Sequence, residues 1–506
     1  MYFAYSHAPI SCYFAHSSRD FVVQEIPLYA FSGSGEHRIL KVRKKNLSTF
    51  ELLNIIAQAF NLPQKSIGYA GLKDKHATTT QYLSLPAKST QHFCAIFDSL
   101  AKQHDIKLLD STLHSNKLRL GHLKGNRFFV RLKKLNPTNA KKLESTFSHI
   151  AKNGFPNFFG FQRFGINGDN YLLGLSLSKR KNAQTSPYLS LLAQLHPSFA
   201  STHAQTHQNP LFHTKRYNRA MQEFFISSYQ SFLFNAWLRA RVCLSAWARE
   251  FSPKELRDIA RHYATAPLES TFSRDSACGL ESRIASSRGV DRPLVLSSLR
   301  DLQNKGYRSA LADVSLESHD SSLTILESQD ALESTLESTF APPLETSIQS
   351  AQDTCAATLC AQFLQSLPTA ALESLCAQPQ ALTLLDGDLC CHYPHGKLFS
   401  LESASPQECD RFSQQGFSPT GALSGQNLKA PSTLAKQLEQ SFLAPIPAPS
   451  SRRYAWVWAS DVEFDYKPEV AQAELHFSLP SGAYATSFLE QVLKQHLKPQ
   501  SPTQSK

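Results

Sequence analysis

One carboxylate lies between two lysines in the segment 68–81, at Lys73-Asp74-Lys75. Neighbouring cations favour the charged form of a carboxylate, and an ionised Asp can act as a nucleophile or a base. If the segment is extended, both lysines point to the face opposite Asp74, where they are suited to binding phosphates. These residue types indicate either a carboxylate catalyst beside a bound polyanion or a solvated, charged turn.

Aromatic rings and polar groups are combined in two further segments. Residues 154–165 hold five aromatic residues among glycines, together with Arg163. This composition is typical of a base-stacking surface with a phosphate-binding guanidinium, and equally of a rigid loop packed by its own rings. In the second segment Asn126 can bind the edge of a pyrimidine and Phe128 can stack on its ring. A β-turn at Gly125-Asn126 followed by a core Phe explains the second segment nearly as well.

The segment 479–486 predicts a junction of strand, turn and helix that carries Tyr484. The ring of Tyr484 either is exposed for stacking or packs on the core. Gly33-Ser34-Gly35 lacks the third glycine of a dinucleotide-binding loop. We interpret it as the turn of a hairpin between strands at 21–25 and 39–43.

The charge of the chain is concentrated at one end. Its 506 residues carry 52 Lys and Arg against 41 Asp and Glu, a net charge of +11. Residues 1–180 alone hold 25 Lys and Arg against 10 Asp and Glu, so the rest of the chain is slightly acidic. Such asymmetry is typical of a polyanionic partner, most simply a nucleic acid, and equally of ordinary solvated lysines.

Several classes of function are disfavoured. The sequence has no Walker loop, no metalloprotease or zinc-deaminase motif and no Gly-x-Ser-x-Gly. The ten cysteines are scattered and form no Cys-x-x-Cys, which argues against a disulfide framework and a structural zinc site. No apolar run reaches the ~18 residues of a membrane helix, and the N-terminus does not resemble a secretory signal. We expect a cytoplasmic protein without metal or membrane association.

Periodicity predicts the elements that position these residues. Apolar spacing predicts helices at about 48–60, 221–242 and 485–497, the first capped by Ser48 or Thr49. Alternation predicts basic strands at 117–134 and a strand at 474–480. The tripeptide Leu-Glu-Ser recurs at irregular intervals from 268 onward, and Ser309 to Gly396 contains no Lys or Arg. This acidic tract should lie away from any RNA site, because it repels phosphate. We interpret about 262–350 as a low-complexity, largely disordered insertion.

Taken together and in this order, the segments resemble the tRNA pseudouridine synthase D (TruD) family. The matching pieces are Phe21-Val22-Val23-Gln24-Glu25, Gly33-Ser34-Gly35-Glu36-His37, Ala70 through Ala77, Leu118 through Phe128, Gly154 through Gly165, 227–239 and Phe477 through Thr486. They cover about 1–242 and 380–495. One piece alone is a weak signal, whereas seven in family order are specific.

The resemblance implies a tRNA pseudouridine synthase that converts a uridine, typically U13 in the D-stem, to pseudouridine without cofactor or metal. Asp74 falls on the position of the family's nucleophile. Phe21, Asn126 and Tyr484 fall on substrate-contacting positions, with Phe128 beside them. The family commonly has Phe where this chain has Tyr484. Family members usually have Pro-Glu-Asp before Phe21 and a lysine further upstream. This chain has His16-Ser17-Ser18-Arg19-Asp20 in that place, so we assign no lysine contact.

The resemblance also implies an α+β fold. Both chain ends form a mixed antiparallel sheet with flanking helices, and a second α/β domain is inserted between them. The expected boundaries are 1–153 and 456–506 for the two parts of the catalytic domain and 154–455 for the inserted domain. We expect tRNA as the partner of a monomeric enzyme, with phosphate contacts from Lys73, Lys75, Arg127 and Arg163.

Two rival functions remain from the residues. A tRNA-binding protein or RNA chaperone on the same scaffold would bind without chemistry, although a pure binder has no need for an anion among lysines. A nucleoside hydrolase with a carboxylate pair would release free uracil. Asp74 has no evident acidic partner within its motif, which disfavours the hydrolase.

Overall fold

A computed structural model describes residues 3–14, 17–75, 77–165, 168–178, 186–196, 199, 219–265 and 344–497. The strands within this part of the chain are β1 Tyr13–Phe14, β2 Phe21–Pro27, β3 His37–Lys45, β4 Gly68–Tyr69, β5 Thr78–Pro86, β6 Ile106–His114, β7 Leu123–Lys133, β8 Phe155–Pro156, β9 Leu389–His392, β10 Leu398–Ser400, β11 Phe417–Leu423, β12 Ser451–Tyr454, β13 Trp456–Val457, β14 Ser460–Lys467 and β15 Gln472–Pro480. The α-helices are α1 Thr49–Ala59, α2 Phe93–Gln103, α3 Pro137–Asn153, α4 Asn170–Ser178, α5 Pro187–Leu195, α6 Arg219–Glu250, α7 Pro253–Thr265, α8 Leu344–Gln365, α9 Thr369–Cys376, α10 Pro406–Ser413, α11 Thr433–Glu439 and α12 Ala485–Leu493.

A mixed sheet joins the two ends of the chain. Its strand order is β14-β15-β7-β2-β5-β3-β6, with β1 paired to β7 and β4 to β5. The β2–β5 pair is parallel, and the other pairs are antiparallel. The C-terminal strands β14 and β15 thus complete a sheet that the N-terminal strands begin. This arrangement confirms the expected fold class.

Helices cover one face of this sheet in two separate apolar clusters. The first cluster packs α3 and α12 on side chains of β2, β7 and β15, with Phe147 and Phe488 against Phe477. The second packs α1 and α2 on β3, β5 and β6, with Leu52 and Ile56 buried. Burial of these side chains contributes on the order of 2 kcal/mol each to folding. The two clusters leave a seam between them along the middle strands.

Helix α1 begins as its sequence predicts. The Ser48 hydroxyl accepts a hydrogen bond from the Glu51 backbone N–H, and the Glu51 carboxylate accepts one from the Ser48 N–H at 2.6 Å. This reciprocal pair is a capping box, which satisfies N–H groups that have no partner within the helix. The predicted helix 221–242 lies inside the longer α6, and the predicted C-terminal helix ends at Leu493.

Two turn predictions are wrong. No hairpin joins β2 and β3 at Gly33-Ser34-Gly35, because β5 lies between these strands. Gly125 and Asn126 do not form a turn, because both lie inside β7, where Asn126 pairs with Leu479 on one side and Glu25 on the other. In both cases pairing with strands distant in sequence determines the structure, which local turn chemistry cannot reveal.

A third and larger apolar cluster is built from the middle of the chain. It packs α6 against α4, α8 and β11, with Phe232, Trp237 and Cys360 buried. This packing supports our proposal that 154–455 is an inserted domain. Most of the predicted low-complexity segment, residues 266–343, lies outside the described residues, whereas residues 344–350 begin α8. The nine cysteines that the structure describes are free thiols.

A buried ion pair ties α6 to the start of β9. The Arg241 guanidinium binds the Asp388 carboxylate through two hydrogen bonds of 2.7 and 2.9 Å. The two side chains are only 1% and 3% exposed. Removing one partner of such a pair leaves an uncompensated charge inside the protein, which is more costly than the pair itself.

We therefore predict that Asp388→Ala lowers the free energy of unfolding by about 3–5 kcal/mol, measured by urea denaturation. Asp105→Ala is the matched control, because it makes the same change at a carboxylate 3.8 Å from Lys45 in an exposed pair. Exposed pairs contribute only about 0–1 kcal/mol. Equal effects of the two substitutions would contradict the prediction.

Candidate active site

Five polar side chains cross the covered face of the sheet at the seam between its two clusters. They are Lys44, Thr79, Gln81, Glu25 and Asn126, here called the polar strip. Lys44 lies opposite Thr79, and Glu25 lies opposite Asn126. Side chains of directly paired residues point to the same face. The strip therefore brings together residues from four strands that are far apart in the sequence.

The polar strip contains atoms without hydrogen bonds. Among the described residues, Thr79 Oγ1, Gln81 Nε2 and Asn126 Oδ1 are buried and have no hydrogen-bond partner. Buried polar atoms in folded proteins are nearly always hydrogen-bonded, and an unpaired one costs about 1–3 kcal/mol. The unpaired atoms of the polar strip include both hydrogen-bond donors and acceptors. This pattern is suited to a small polar ligand that offers both kinds of group.

The predicted nucleophile lies in the loop that crosses this strip between β4 and β5. Lys44 is fully buried, and its ammonium donates to the carbonyl oxygen of Asp74 at 3.0 Å and to that of Leu47. Burial lowers the pKa of Lys44 to about 8, while the negative charge of Asp74 opposes the decrease. The Asp74 side chain is half-buried. Lys44 thus fixes the backbone of Asp74, and its charge also interacts with the charge of the Asp74 carboxylate.

Lys73 does not reach the surface, which corrects its prediction as a phosphate contact. Its ammonium lies 2.6 Å from Glu25 Oε2, and the two side chains are 3% and 1% exposed. Its backbone N–H donates to Thr49 Oγ1 at 2.9 Å. Burial raises the pKa of Glu25, although the Lys73 charge opposes the rise. Lys73 therefore fixes the loop on β2 and α1.

Lys75 and Arg127 are both at the surface but on different sides. The Lys75 ammonium pairs with Glu51 at 2.9 Å, beside the N-terminus of α1. Arg127 is the neighbour of Asn126 in β7, so it points to the opposite face of the sheet, where it pairs with Glu463 at 2.8 Å. Lys75 lies beside Asp74, whereas Arg127 does not share the face of the polar strip.

Phe21 and Phe128 lie under the site as a stack. The two rings are 6.0 Å apart and nearly parallel, and Phe128 stacks in turn on Phe477 at 5.3 Å. Phe21 is 2% exposed and Phe128 is 5% exposed. Phe128 shares the face of Asn126, two residues earlier in β7. Phe21 therefore supports Phe128 from within the core.

Tyr484 lies where the sheet meets the inserted segment. Its half-buried ring contacts Phe159 at 6.0 Å between centroids, just before α12 begins. A Cβ at Gly160 would lie 3.2 Å from the Tyr484 ring and 2.9 Å from Thr486 Oγ1. Glycine at 160 thus allows the loop 154–165 to approach the ring closely. Arg163 lies in the same loop, where its guanidinium donates to the hydroxyls of Ser227 and Ser231 on α6.

Sequence reasoning missed the buried partners of the site. Lys44 follows Leu40 and Val42 on the apolar side of the alternating β3, and Glu25 follows Phe21 and Val23 in the same way. A charge at a position where alternation requires an apolar residue was therefore a usable signal. Within the part of the chain that the structure describes, no cluster of His, Cys, Asp and Glu could hold a metal ion, and no helix is long and apolar enough to cross a membrane.

Comparison with known proteins gives consistent results. A family model described as tRNA pseudouridine synthase D (TruD) matches residues 1–198. A protein of Helicobacter hepaticus named tRNA pseudouridine synthase D is 37% identical over 98% of this chain and 96% of its own length. One of the same name from Wolinella succinogenes is 33% identical over 97% of this chain and 98% of its own length.

A solved structure supports the fold. The crystal structure of a putative tRNA pseudouridine synthase D from Methanosarcina mazei covers 98% of this chain and 96% of its own, with a TM-score of 0.51 and 17% identity. The two curated relatives are similar to this chain over nearly its whole length, and their names describe an isomerase. The expected family and the expectation of an enzyme are thereby confirmed. The chain belongs to the tRNA pseudouridine synthase D family.

Proposed function

We propose that the protein isomerises a uridine of tRNA, specifically U13 of the D-stem, to pseudouridine, with Asp74 as the nucleophile. The observation that carries the proposal is the loop of Asp74, fixed above a strip of buried polar atoms that lack partners. An enzyme that holds a small polar ring beside a carboxylate requires this combination. The family relationship supports the reaction type, and the geometry supports the assignment of the residue.

Substrate binding begins with removal of the target base from its stack. A base must be turned out of the RNA before its C5 and C6 atoms become accessible. Asn126 Oδ1, which is buried without a partner, would accept the N3–H of uracil. Cytosine has no N3–H at neutral pH, so this contact would favour uracil. The half-buried ring of Tyr484 would supply a stacking surface for the base, and the buried ring of Phe128 would form the apolar floor beneath it.

The chemistry follows from an ionised carboxylate. An ordinary Asp has a pKa of about 3.9 and is charged at pH 7. The Asp74 carboxylate would attack either uracil C6 or ribose C1′ and form a covalent intermediate. The N1–C1′ bond breaks, the base turns over, a C5–C1′ bond forms, and the bond to Asp74 breaks to restore its carboxylate. The C5 proton is lost and N1 gains a proton, so the reaction needs no oxidant, reductant or group donor.

The surroundings of Asp74 support this role in two ways. The Lys44 ammonium holds the main chain of Asp74, which fixes the nucleophile without using its carboxylate in that bond. A reacting group held in place before the substrate arrives lowers the entropic cost of the reaction. We also propose Lys75 as a phosphate contact, because its half-exposed ammonium can exchange Glu51 for RNA. Monomeric state and cytoplasmic location belong to the same proposal.

We predict that Asp74→Asn abolishes pseudouridine formation, with a loss of at least about 10⁴-fold, because the amide keeps the shape and loses the nucleophile. Pseudouridine is mapped on unmodified tRNA transcripts by carbodiimide adducts that stop reverse transcription, since the isomerisation leaves the mass unchanged. Wild-type protein should give a single stop at a D-stem uridine.

Asp98→Asn is the matched control, since it makes the same change at an exposed position of α2. It should retain wild-type activity. Wild-type activity in Asp74→Asn would remove the assignment of the nucleophile. If the wild type binds tRNA and gives no stop, the protein is a binder without chemistry. Release of free uracil would instead indicate a hydrolase.

Tyr484 should contribute through its ring and not through its hydroxyl. We predict that Tyr484→Phe retains kcat/KM within about threefold, and that Tyr484→Ala lowers it by about 5- to 150-fold, which corresponds to stacking on one base. Single-turnover rates at several tRNA concentrations separate binding from chemistry. A large loss in Tyr484→Phe would show that the hydroxyl, and not stacking, is needed.

A further inference from the structure

Two arginines share one aromatic ring beside Tyr484. The Arg453 guanidinium lies 3.9 Å from the centroid of Phe159, and the Arg163 guanidinium lies 5.8 Å from the same centroid. Arg453 also lies 5.8 Å from the centroid of Tyr484. The two cations come from distant parts of the chain, the loop after β8 and strand β12. They therefore meet only in the folded protein.

Neither cation has a carboxylate partner among the described residues. Arg453 donates to the backbone and side-chain oxygens of Asn157 at 2.8–3.1 Å, and Arg163 donates to two serine hydroxyls. Burial lowers the pKa of Arg453 to about 10, the Tyr484 hydroxyl opposes the decrease, and repulsion from Arg163 contributes to it. Both groups are still charged at pH 7. The protein thus holds two like charges together without compensation.

Other buried arginines of the same region have carboxylate partners. Arg239, Arg241 and Arg452 pair with Asp353, Asp388 and Glu439 at 3.1, 2.7 and 2.8 Å. The contrast is sharpest in β12, where Arg452 and its neighbour Arg453 point in opposite directions. Arg452 has a carboxylate and Arg453 has none. Each of these three buried guanidiniums is accompanied by an acid, whereas Arg453 has no carboxylate partner among the described residues.

Each of the two guanidiniums keeps one nitrogen unused. Nη1 of Arg163 and Nη1 of Arg453 donate to none of the described residues. Both residues are partly exposed. Gly482 lies beside this nitrogen, since a Cβ at that position would be 3.4 Å from Arg453 Nη1. A planar guanidinium with free donors is well suited to a phosphate.

We propose that Arg163 and Arg453 together bind a backbone phosphate of the tRNA next to the target nucleotide, while Tyr484 stacks on the base. This inference rests on the proposed function, since it places the phosphate beside the flipped uridine. It adds Arg453 to the site and gives the inserted segment a direct role in binding RNA. An anion at this position would relieve the repulsion between the two guanidiniums.

The test measures tRNA affinity as a function of KCl concentration, with Asp74→Asn present in every protein so that binding is observed without turnover. Loss of one phosphate contact lowers the slope of log Kd against log[KCl] by about 0.7–0.9. We expect this decrease for Arg453→Gln and for Arg163→Gln, with affinity weakened about tenfold at 0.15 M salt. Arg453→Lys should restore the slope, because it restores the charge.

Arg411→Gln is the control, because Arg411 already pairs with Glu408 at 3.2 Å and should leave the slope unchanged. Thermal unfolding identifies folded variants, and Arg163→Gln serves if Arg453→Gln does not fold. An unchanged slope in folded variants overturns the proposal, even where the wild type forms pseudouridine. A lowered slope without pseudouridine formation by the wild type would retain the phosphate site and remove only the proposed reaction.

Discussion

The site depends on a lysine buried where the sheet pattern calls for an apolar side chain. Lys44 follows Leu40 and Val42 on the covered face of β3, and its ammonium has no exposure to solvent. A buried cation must find acceptors, since an unpaired one is too costly. The carbonyl groups of Leu47 and Asp74 provide them. The requirement to solvate one ammonium thus determines where the candidate nucleophile lies.

Three consecutive residues of the loop around Asp74 are anchored to three different elements. Lys73 binds Glu25 on β2, the Asp74 carbonyl binds Lys44 on β3, and Lys75 binds Glu51 at the start of α1. The first two anchors are buried and the third is exposed. The exposed ion pair contributes little, whereas the buried ones resist disruption because each would leave a charge unpaired. The loop is therefore rigid at Asp74 and adaptable at Lys75.

Local sequence pattern predicted the elements, and distant pairing determined the site. The capping box of Ser48 and Glu51, the strand at 474–480 and the core stripe of α6 follow from residues close together in the chain. The insertion of β5 between β2 and β3 does not, because the pairing joins segments about 50 residues apart. The same holds for Lys73, whose partner Glu25 is brought beside it only by that strand order. Resemblance to a family supplied the position of Asp74, which residue types alone left open.

The uneven charge of the chain also has to be interpreted through burial. Among the acidic residues between Ser309 and Gly396, Asp353 and Asp388 are neutralised internally by Arg239 and Arg241. They therefore repel RNA less than the formal charge implies. Lys44 and Lys73 are likewise buried and add little to the attractive surface. Each of these ion pairs joins two residues of the same part of the chain, so the pairing leaves the net charge of residues 1–180 and of the rest unchanged. The charges that matter for a polyanion are those without internal partners. By that criterion Arg163 and Arg453, beside Tyr484, stand out, because within the part of the chain that the structure describes neither has a carboxylate partner.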